Sequence, residues 1–151
     1  MLSKKAKYAI QAMVRLAKEY QSGPIVISEI SEKEHIPKKF LETILLELKN
    51  AGFVNSRKGR NGGYYLIKDP SEVNMADIHR LFDGAIALLP CVTYQYYERC
   101  DECQDEKTCA IRRAIKEVRD ATVEILKKYS LNQLMEKEQN LIEKLEQQST
   151  A

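Results

Sequence analysis

Apolar positions near the N-terminus recur every three or four residues, which is the spacing of an amphipathic helix. This first helix is expected over residues 4–20, and Gly23-Pro24 ends it. Its apolar side chains fall on one face, so the helix is expected to pack against a core. They are Ala6, Ala9, Met13, Ala17 and Tyr20.

Two helices joined by a tight turn follow. Ser28 is expected to cap a helix over residues 29–35, because a serine oxygen accepts hydrogen bonds from the free N–H groups of a first turn. Ile36-Pro37 forms the turn, and the next helix runs to about residue 51, with Gly52 in the left-handed position after it. This arrangement predicts a helix-turn-helix. The apolar face of the later helix is Phe40, Leu41, Ile44, Leu45 and Leu48.

A β-hairpin is predicted directly after these helices. Residues 53–58 and 64–67 have strand-like composition, and residues 59–63 form a turn with three glycines and an asparagine. Such residues adopt the positive φ angles that tight hairpin turns require. A hairpin placed after a helix-turn-helix predicts a winged helix.

The most regular helical pattern lies after the last cysteine. Apolar residues spaced alternately four and three apart form a heptad-like stripe on a helix over residues 111–129. A single amphipathic helix must bury such a face, so we expect a second copy of the chain to cover it. The stripe consists of Ile111, Ile115, Val118, Thr122, Ile125 and Tyr129.

Shorter helical signals lie on either side of this stripe. Asn74 is expected to cap a helix over residues 75–82, with Asp77 favoured in its first turn by the helix dipole. Ser130 is expected to end or recap the long helix, a charged helix follows, and residues 147–151 are expected to fray.

These elements predict a mainly α fold, with a winged helix-turn-helix domain and a long C-terminal dimerisation helix. Residues 1–70 form the expected DNA-binding domain. Residues 71–110 form a linker helix and a cysteine-rich cofactor loop, and residues 111–151 form the dimerisation helix and a charged C-terminal helix.

Charge is distributed unevenly along the chain. Residues 1–70 contain 13 Lys or Arg and 7 Asp or Glu, a net charge of +6, whereas residues 71–151 contain 11 and 15, a net charge of −4. A basic half beside an acidic half indicates nucleic-acid binding by one part of the chain. No apolar run approaches the roughly 20 residues of a membrane span, and no secretory signal is recognisable, so a cytoplasmic protein is expected.

Basic residues cluster at two places where a winged helix meets DNA. They lie at the N-terminus of the third predicted helix and on the hairpin, so contacts to phosphates are expected there. Glu42 could accept from cytosine in the major groove or repel phosphates, and Thr43 is a further candidate for base contact. The expected phosphate contacts are Lys38, Lys39, Arg57, Lys58 and Arg60.

All four cysteines of the chain fall in one hydrophilic stretch with the spacing C-x8-C-x2-C-x5-C. Clustered thiols in such a stretch indicate a metal or redox cofactor, and four thiolates also suit tetrahedral zinc. Incidental thiols, or a metal-free sensor that works by disulfide exchange, remain open alternatives. No nucleophilic triad, P-loop or paired carboxylates appear, so an enzyme is not expected. The cysteines are Cys91, Cys100, Cys103 and Cys109.

Three motifs within residues 30–67 stand out together: Phe40-Leu41-Glu42, Ala51-Gly52-Phe53-Val54 and Gly59-Arg60-Asn61-Gly62-Gly63-Tyr64. With them this stretch resembles the IscR/NsrR/CymR-type winged-helix regulators of the Rrf-two family, and the order of elements extends the resemblance over about residues 1–135. The resemblance implies a dimeric transcriptional regulator. Several members carry an iron–sulfur cluster on three loop cysteines, and others carry none.

The cysteine loop departs from the family pattern at the fourth ligand. Cys91, Cys103 and Cys109 match the three family cysteines, and Cys100 is additional. Where family branches use a histidine or an N-terminal aspartate, this chain has Arg112 and Lys7. The resemblance therefore implies ligation of the cluster by four thiolates.

The function expected from these features is sequence-specific binding to double-stranded DNA, with repression gated by an iron–sulfur cluster, 2Fe-2S or 4Fe-4S, that senses redox state, iron or nitric oxide. A homodimer would place two recognition helices about 34–36 Å apart on a pseudo-palindromic operator. The alternative is a cluster-free regulator controlled by a partner protein, a metabolite, zinc or thiol oxidation.

Overall fold

The computed structural model describes residues 2–150, so Met1 and Ala151 lie outside the described part of the chain. Within it the fold is mainly helical with one small antiparallel sheet, which confirms the predicted class. No helix in the described range is both long and apolar enough to cross a membrane. The elements are α1 (Lys4–Lys18), α2 (Ile27–Glu34), α3 (Lys38–Asn50), β1 (Val54–Arg57), β2 (Gly63–Leu66), α4 (Met75–Asp83), a 3-10 turn (Pro90–Val92), α5 (Ala110–Lys128) and α6 (Leu131–Ser149).

Helices α2 and α3 form the predicted helix-turn-helix, and α1 packs against both of them. The apolar face of α3 is buried, because its positions three and four residues apart lie on one side of the helix. After α3 the chain reverses through Gly52, which has φ +80°. Gly52 N–H donates to Lys49, and Phe53 N–H donates to Leu48, each at 3.0 Å. The predicted left-handed ending of α3 is confirmed.

Three predicted helix ends are wrong. Helix α1 ends at Lys18, two residues early, where the last N–H groups bond in tighter three-residue turns. Val26, not Ser28, occupies the N-cap of α2, because two 2.8 Å hydrogen bonds between Ile25 and Tyr64 fix the preceding backbone. Helix α6 continues past residue 147 to Ser149, and the hydroxyls of Ser149 and Thr150 donate to the Leu145 and Glu146 carbonyls; Ala151, the last residue of the predicted frayed end, lies outside the described residues.

The hairpin β1–β2 packs directly onto the start of α2. Its register pairs Val54 with Leu66 and Arg57 with Gly63. The same pair of hydrogen bonds between Ile25 and Tyr64 joins one bridging residue, Ile25, to the edge of the two-stranded sheet. A Cβ on Gly63 would lie 2.3 Å from the Ile25 carbonyl oxygen. Because of this close approach, only glycine fits at position 63. The contact between Gly63 and Ile25 keeps the wing beside α2 and α3.

Helices α4 and α6 complete the same core across the expected boundary at residue 70. Asn74 caps α4 and exchanges hydrogen bonds with Asp77, and Ser130 caps α6, as predicted. Lys18 and Glu138 form an ion pair at 2.5 Å that joins α1 to α6. The core side chains contributed from beyond residue 70 are Val73, Ile78 and Leu131.

Candidate DNA interface, cysteine recess and dimer face

The start of α2, the exposed side of α3 and the wing enclose an open groove of about 440 Å³. Four of the predicted DNA-binding residues line it, although they are distant in sequence. Lys39 and Thr43 are exposed on α3 outside the lining, and Arg60 is exposed at the turn of the wing. The predicted residues in the lining are Lys38, Glu42, Arg57 and Lys58.

The charges of this groove suit a nucleic acid. Among the described residues that line it, Glu42 is the one carboxylate and stands with three cations. Lys49 donates to the Ser56 hydroxyl at 2.7 Å and so ties α3 to β1. The groove can therefore attract a phosphate backbone while Glu42 offers one acceptor to a base edge.

Ser28 lines the groove, although the sequence pattern predicts it as the N-cap of α2. It lies in the first turn of α2 and lines the groove. A serine hydroxyl there can donate to phosphate, as side chains and helix N-termini commonly do at DNA backbones. The signal that could have found it is the β-branched run over residues 25–27, because Ile25 pairs with Tyr64 of the wing and the N-cap of α2 then falls on Val26.

The four cysteines all line one recess of about 510 Å³ between the 100–109 segment, Leu89 and the start of α5. Cys91 is buried in the 3-10 turn, Cys103 and Cys109 are half-buried, and Cys100 is exposed. Within residues 2–150 no three His, Cys, Asp or Glu side chains converge on a single metal position. The sulfurs thus share a recess without forming a finished tetrahedral site.

Arg112 links the first and last of these cysteines. Cys109 is the N-cap of α5, and its sulfur accepts from the Arg112 backbone N–H at 3.4 Å. The Arg112 side chain donates from Nε to the Cys91 carbonyl at 3.2 Å. Arg99 donates to the Cys103 carbonyl at 3.0 Å. Two guanidinium groups therefore adjoin the recess, where they can offset the negative charge of thiolates.

Cys100 differs from the other three thiols. Its sulfur donates to the Glu102 carboxylate at 3.1 Å. This hydrogen bond raises the pKa of the Cys100 thiol and lowers the pKa of the Glu102 carboxyl. Metal ligands must be deprotonated, so Cys100 has to leave Glu102 before it can ligate.

Lys7 and Arg112, at the two positions where family branches have another ligand, lie differently relative to the recess. Lys7 is exposed on α1 and does not line the recess, whereas Arg112 does. The donor set of the recess nevertheless fits an iron–sulfur cluster, because thiolates are its usual ligands and each iron of a binuclear cluster takes only two.

Helix α5 leaves much of the predicted stripe uncovered. The exposed fractions are 70% for Ile111, 45% for Val118 and 57% for Ile125, while Ile115 is half-buried and Thr122 exposed. The stripe borders a groove of about 500 Å³ between α4 and α5. Such a continuous apolar face on one chain is typical of a protein–protein interface.

Tyr129 stands apart from the other members of the stripe. Helix α5 ends at Lys128, and Tyr129 is its C-cap. Its carbonyl accepts from Met75 N–H at 3.0 Å, and its hydroxyl accepts from Lys137 at 3.1 Å. Tyr129 therefore joins α5 to α4 and α6 rather than extending the exposed face.

Helix α5 buries Arg119 beside the stripe, at the groove that Val118 and Thr122 also line, and the sequence pattern did not single this residue out. Its guanidinium donates to the Val92 carbonyl and to the Tyr94 hydroxyl. Its spacing of seven from Arg112 places both on one face of α5 and was the available signal.

A family model and the named relatives place the chain in the same family. A family model described as iron-dependent transcriptional regulator, Rrf2, matches residues 2–137. A Rhodobacter capsulatus protein named HTH-type transcriptional regulator rrf2-like is 44% identical over 121 residues, which cover 78% of this chain and 81% of that protein. The HTH-type transcriptional regulator IscR of Photorhabdus laumondii is 29% identical over 140 residues, which cover 93% and 82%.

The fold agrees with solved structures as well. The structure of CymR, the global cysteine regulator of B. subtilis, superposes with a TM-score of 0.75 at 29% identity and covers 90% of this chain and 96% of that one. The named relatives are regulators and not enzymes, as the sequence pattern predicted. The chain is a winged-helix transcriptional regulator and belongs to the Rrf2 family.

Proposed function

We propose that this regulator is a homodimeric, sequence-specific repressor whose affinity for DNA is gated by an iron–sulfur cluster on its four cysteines. The observation that carries the proposal is the shared recess of Cys91, Cys100, Cys103 and Cys109. This recess lies at the N-terminus of α5, the helix with the exposed apolar stripe. The proposed cofactor recess therefore adjoins the proposed dimer helix, and α4 connects that helix to the winged domain.

The DNA step follows from the groove beside the wing. Helix α3 enters the major groove, with Glu42 toward the base edges, and the side chains of Lys38, Arg57 and Lys58 contact phosphates. Two copies joined through α5 place two such helices about 34–36 Å apart, and the operator is then a pseudo-palindrome.

The cofactor step uses the recess. Cys91, Cys103 and Cys109 would hold the cluster, and Cys100 would supply the fourth thiolate once its hydrogen bond to Glu102 is broken. A bound iron–sulfur cluster supplies a redox-active centre that oxygen and nitric oxide can attack. Arg99 and Arg112 offset the charge of the thiolates.

Coupling between the recess and DNA runs through packed helices. Helix α5 begins at Cys109 and contacts the 3-10 turn that contains Cys91. It also packs on α4, which packs on α1 of the winged domain. A rearrangement of the cysteines would therefore shift α5 against α4 and change the spacing of the two recognition helices.

A cluster-free regulator is the second candidate function. The hydrogen bond between Cys100 and Glu102 and the incomplete metal geometry favour it. So does the similarity to CymR, which is described as a cysteine regulator. In this case a partner protein, a metabolite, zinc or thiol oxidation controls DNA binding.

Anaerobic purification of the full chain, with analysis of iron, sulfide and zinc per chain, separates these functions. Iron and sulfide together with a visible chromophore support the cluster. Zinc at one per chain supports the zinc form of the second candidate, and a colourless metal-free protein supports control by a partner protein, a metabolite or thiol oxidation.

A further inference from the structure

Arg119 is the one charged residue that the fold buries within residues 2–150, with 5% of its surface exposed. Its Nη1 donates to the Val92 carbonyl, and its Nη2 donates to the Tyr94 hydroxyl at 3.0 Å. Its guanidinium carbon also lies 4.1 Å from the centroid of the Tyr94 ring. Asp120 accepts from Nε at 2.8 Å and balances the charge. A buried cation with this many partners fixes the segment that it touches.

That segment contains the first cysteine of the recess. Arg112 precedes Arg119 by seven positions, about two helical turns, so both side chains leave the same side of α5. Arg112 holds the carbonyl of Cys91 and Arg119 holds the carbonyl of Val92. Two consecutive carbonyls of the Pro90–Val92 turn are thus bonded to one helix face.

We propose that Arg119 is a positioning residue for Cys91. It holds the Pro90–Val92 turn against α5, so that the Cys91 thiol faces the recess that begins at Cys109. Arg119 itself does not line the recess, so it acts through Val92 and Tyr94. That the Cys91 thiol serves a cofactor rests on the proposed function. That Arg119 sets the orientation of this thiol does not rest on it.

A role limited to general stability would leave a different signature from a positioning role. Loss of stability alone exposes every buried or half-buried thiol together, because the whole fold opens more often. Loss of positioning exposes Cys91 through local opening of the turn, while Cys103 and Cys109 keep their rates. Cys100 is exposed in the parent and serves as an internal reference.

The experiment measures alkylation of each cysteine by N-ethylmaleimide in the reduced, cofactor-free full chain, with mass spectrometry of the peptides. In Arg119→Met, Cys91 should react roughly tenfold faster, as expected for the loss of charged hydrogen bonds, and Cys100 should be unchanged. Arg119→Lys, which keeps a donor and the charge, should fall between this variant and the parent. Arg113→Met is the matched control, because the Arg113 side chain is exposed on α5 and forms no hydrogen bond or ion pair within residues 2–150.

Tyr94→Phe keeps the test decisive if Arg119→Met fails to fold. The Tyr94 side chain is 80% exposed, so its hydroxyl can be removed without opening the core, and Cys91 should still react a few-fold faster. An unchanged Cys91 rate in folded Arg119→Met, or in Tyr94→Phe where Arg119→Met does not fold, overturns the proposal. So does equal acceleration of all buried and half-buried thiols.

Cluster retention separates this proposal from the proposed function. If the parent holds iron and sulfide, Arg119→Met should lose them faster to a chelator and show an altered visible circular dichroism spectrum, and retention equal to the parent would contradict the link to ligation. If the parent holds no metal, the proposed function fails, and the alkylation rates still decide the role of Arg119.

Discussion

Arg112 and Cys91 are joined by a hydrogen bond of 3.2 Å from the side chain of one to the backbone carbonyl of the other. Arg112 stands where the family resemblance implies a histidine ligand, and it lines the cysteine recess. The side chain at this position therefore borders the recess that the four thiols share. A guanidinium cannot serve as a ligand, because it carries no free lone pair at accessible pH.

This relationship predicts how Cys100 can be replaced. Cys100→Ser should give a protein that loses iron and sulfide faster than the parent, because the fourth thiolate is gone. Adding Arg112→His should restore retention, because an imidazole then stands at the ligand position. Adding Arg113→His to Cys100→Ser instead should not restore retention of iron and sulfide. The measurement is iron and sulfide per chain over time under a chelator, and equal retention in the parent and Cys100→Ser would remove Cys100 from the ligand set.

The wing should supply sequence-independent affinity. Arg57→Ala or Lys58→Ala removes one phosphate contact, so the slope of log affinity against log salt should fall by about 1 and all sequences should weaken alike. Lys144→Ala on exposed α6 is the control for a general change of charge. Fluorescence anisotropy at several salt concentrations, on DNA selected by the protein from a random pool, gives the slope. If the salt slope of the wing variants equals that of the Lys144→Ala control, the wing does not contact the DNA.

Glu42 should affect sequence preference rather than general affinity. It lies on α3 among the cations of the groove, where a carboxylate can accept from a cytosine amino group. Glu42→Ala should change the selected sequences, and each lost base contact should narrow discrimination by about 1–3 kcal/mol. Thr43→Ala, one residue along the helix, tests the second candidate. Identical selected sequences for the parent and Glu42→Ala would rule out base readout by this side chain.

The exposed stripe of α5 should hold the dimer. Val118→Glu with Ile125→Glu places two carboxylates on this face and should give monomers with weakened operator binding, because one chain alone cannot span both half-sites. Leu141→Glu, at a similarly exposed leucine on α6, is the matched control and should leave the dimer intact. Sedimentation velocity measures the mass of each variant in solution and so distinguishes monomer from dimer. A dimer that survives both stripe substitutions would place the interface elsewhere.

Local chemistry explains why much of the fold was predictable from the sequence. The glycine after α3 and the caps of α4 and α6 depend on residues within a few positions, so Gly52, Asn74 and Ser130 were identified correctly. The positions of the helices followed from apolar spacing, because burial of one face dictates that spacing.

Contacts between distant residues account for what the pattern missed. Ser28 is not a cap, because the bonds between Ile25 and Tyr64 set where α2 begins. Arg119 is buried only because Val92 and Tyr94 come to it from another segment. In the site, the cysteine cluster was visible in the spacing, but the choice of ligands was not.

The most direct test of cysteine-gated DNA binding compares the affinity of one preparation before and after loss of its cofactor. The anaerobically purified protein is titrated onto its selected DNA at fixed salt, then treated with nitric oxide or a chelator and titrated again. A variant that lacks Cys91, Cys103 and Cys109 serves as the control that holds no cluster. The affinity of the parent should change by at least about tenfold, a coupling of roughly 1.4 kcal/mol, while that of the control should stay the same. Equal affinities of the loaded and stripped parent would contradict cysteine-gated DNA binding.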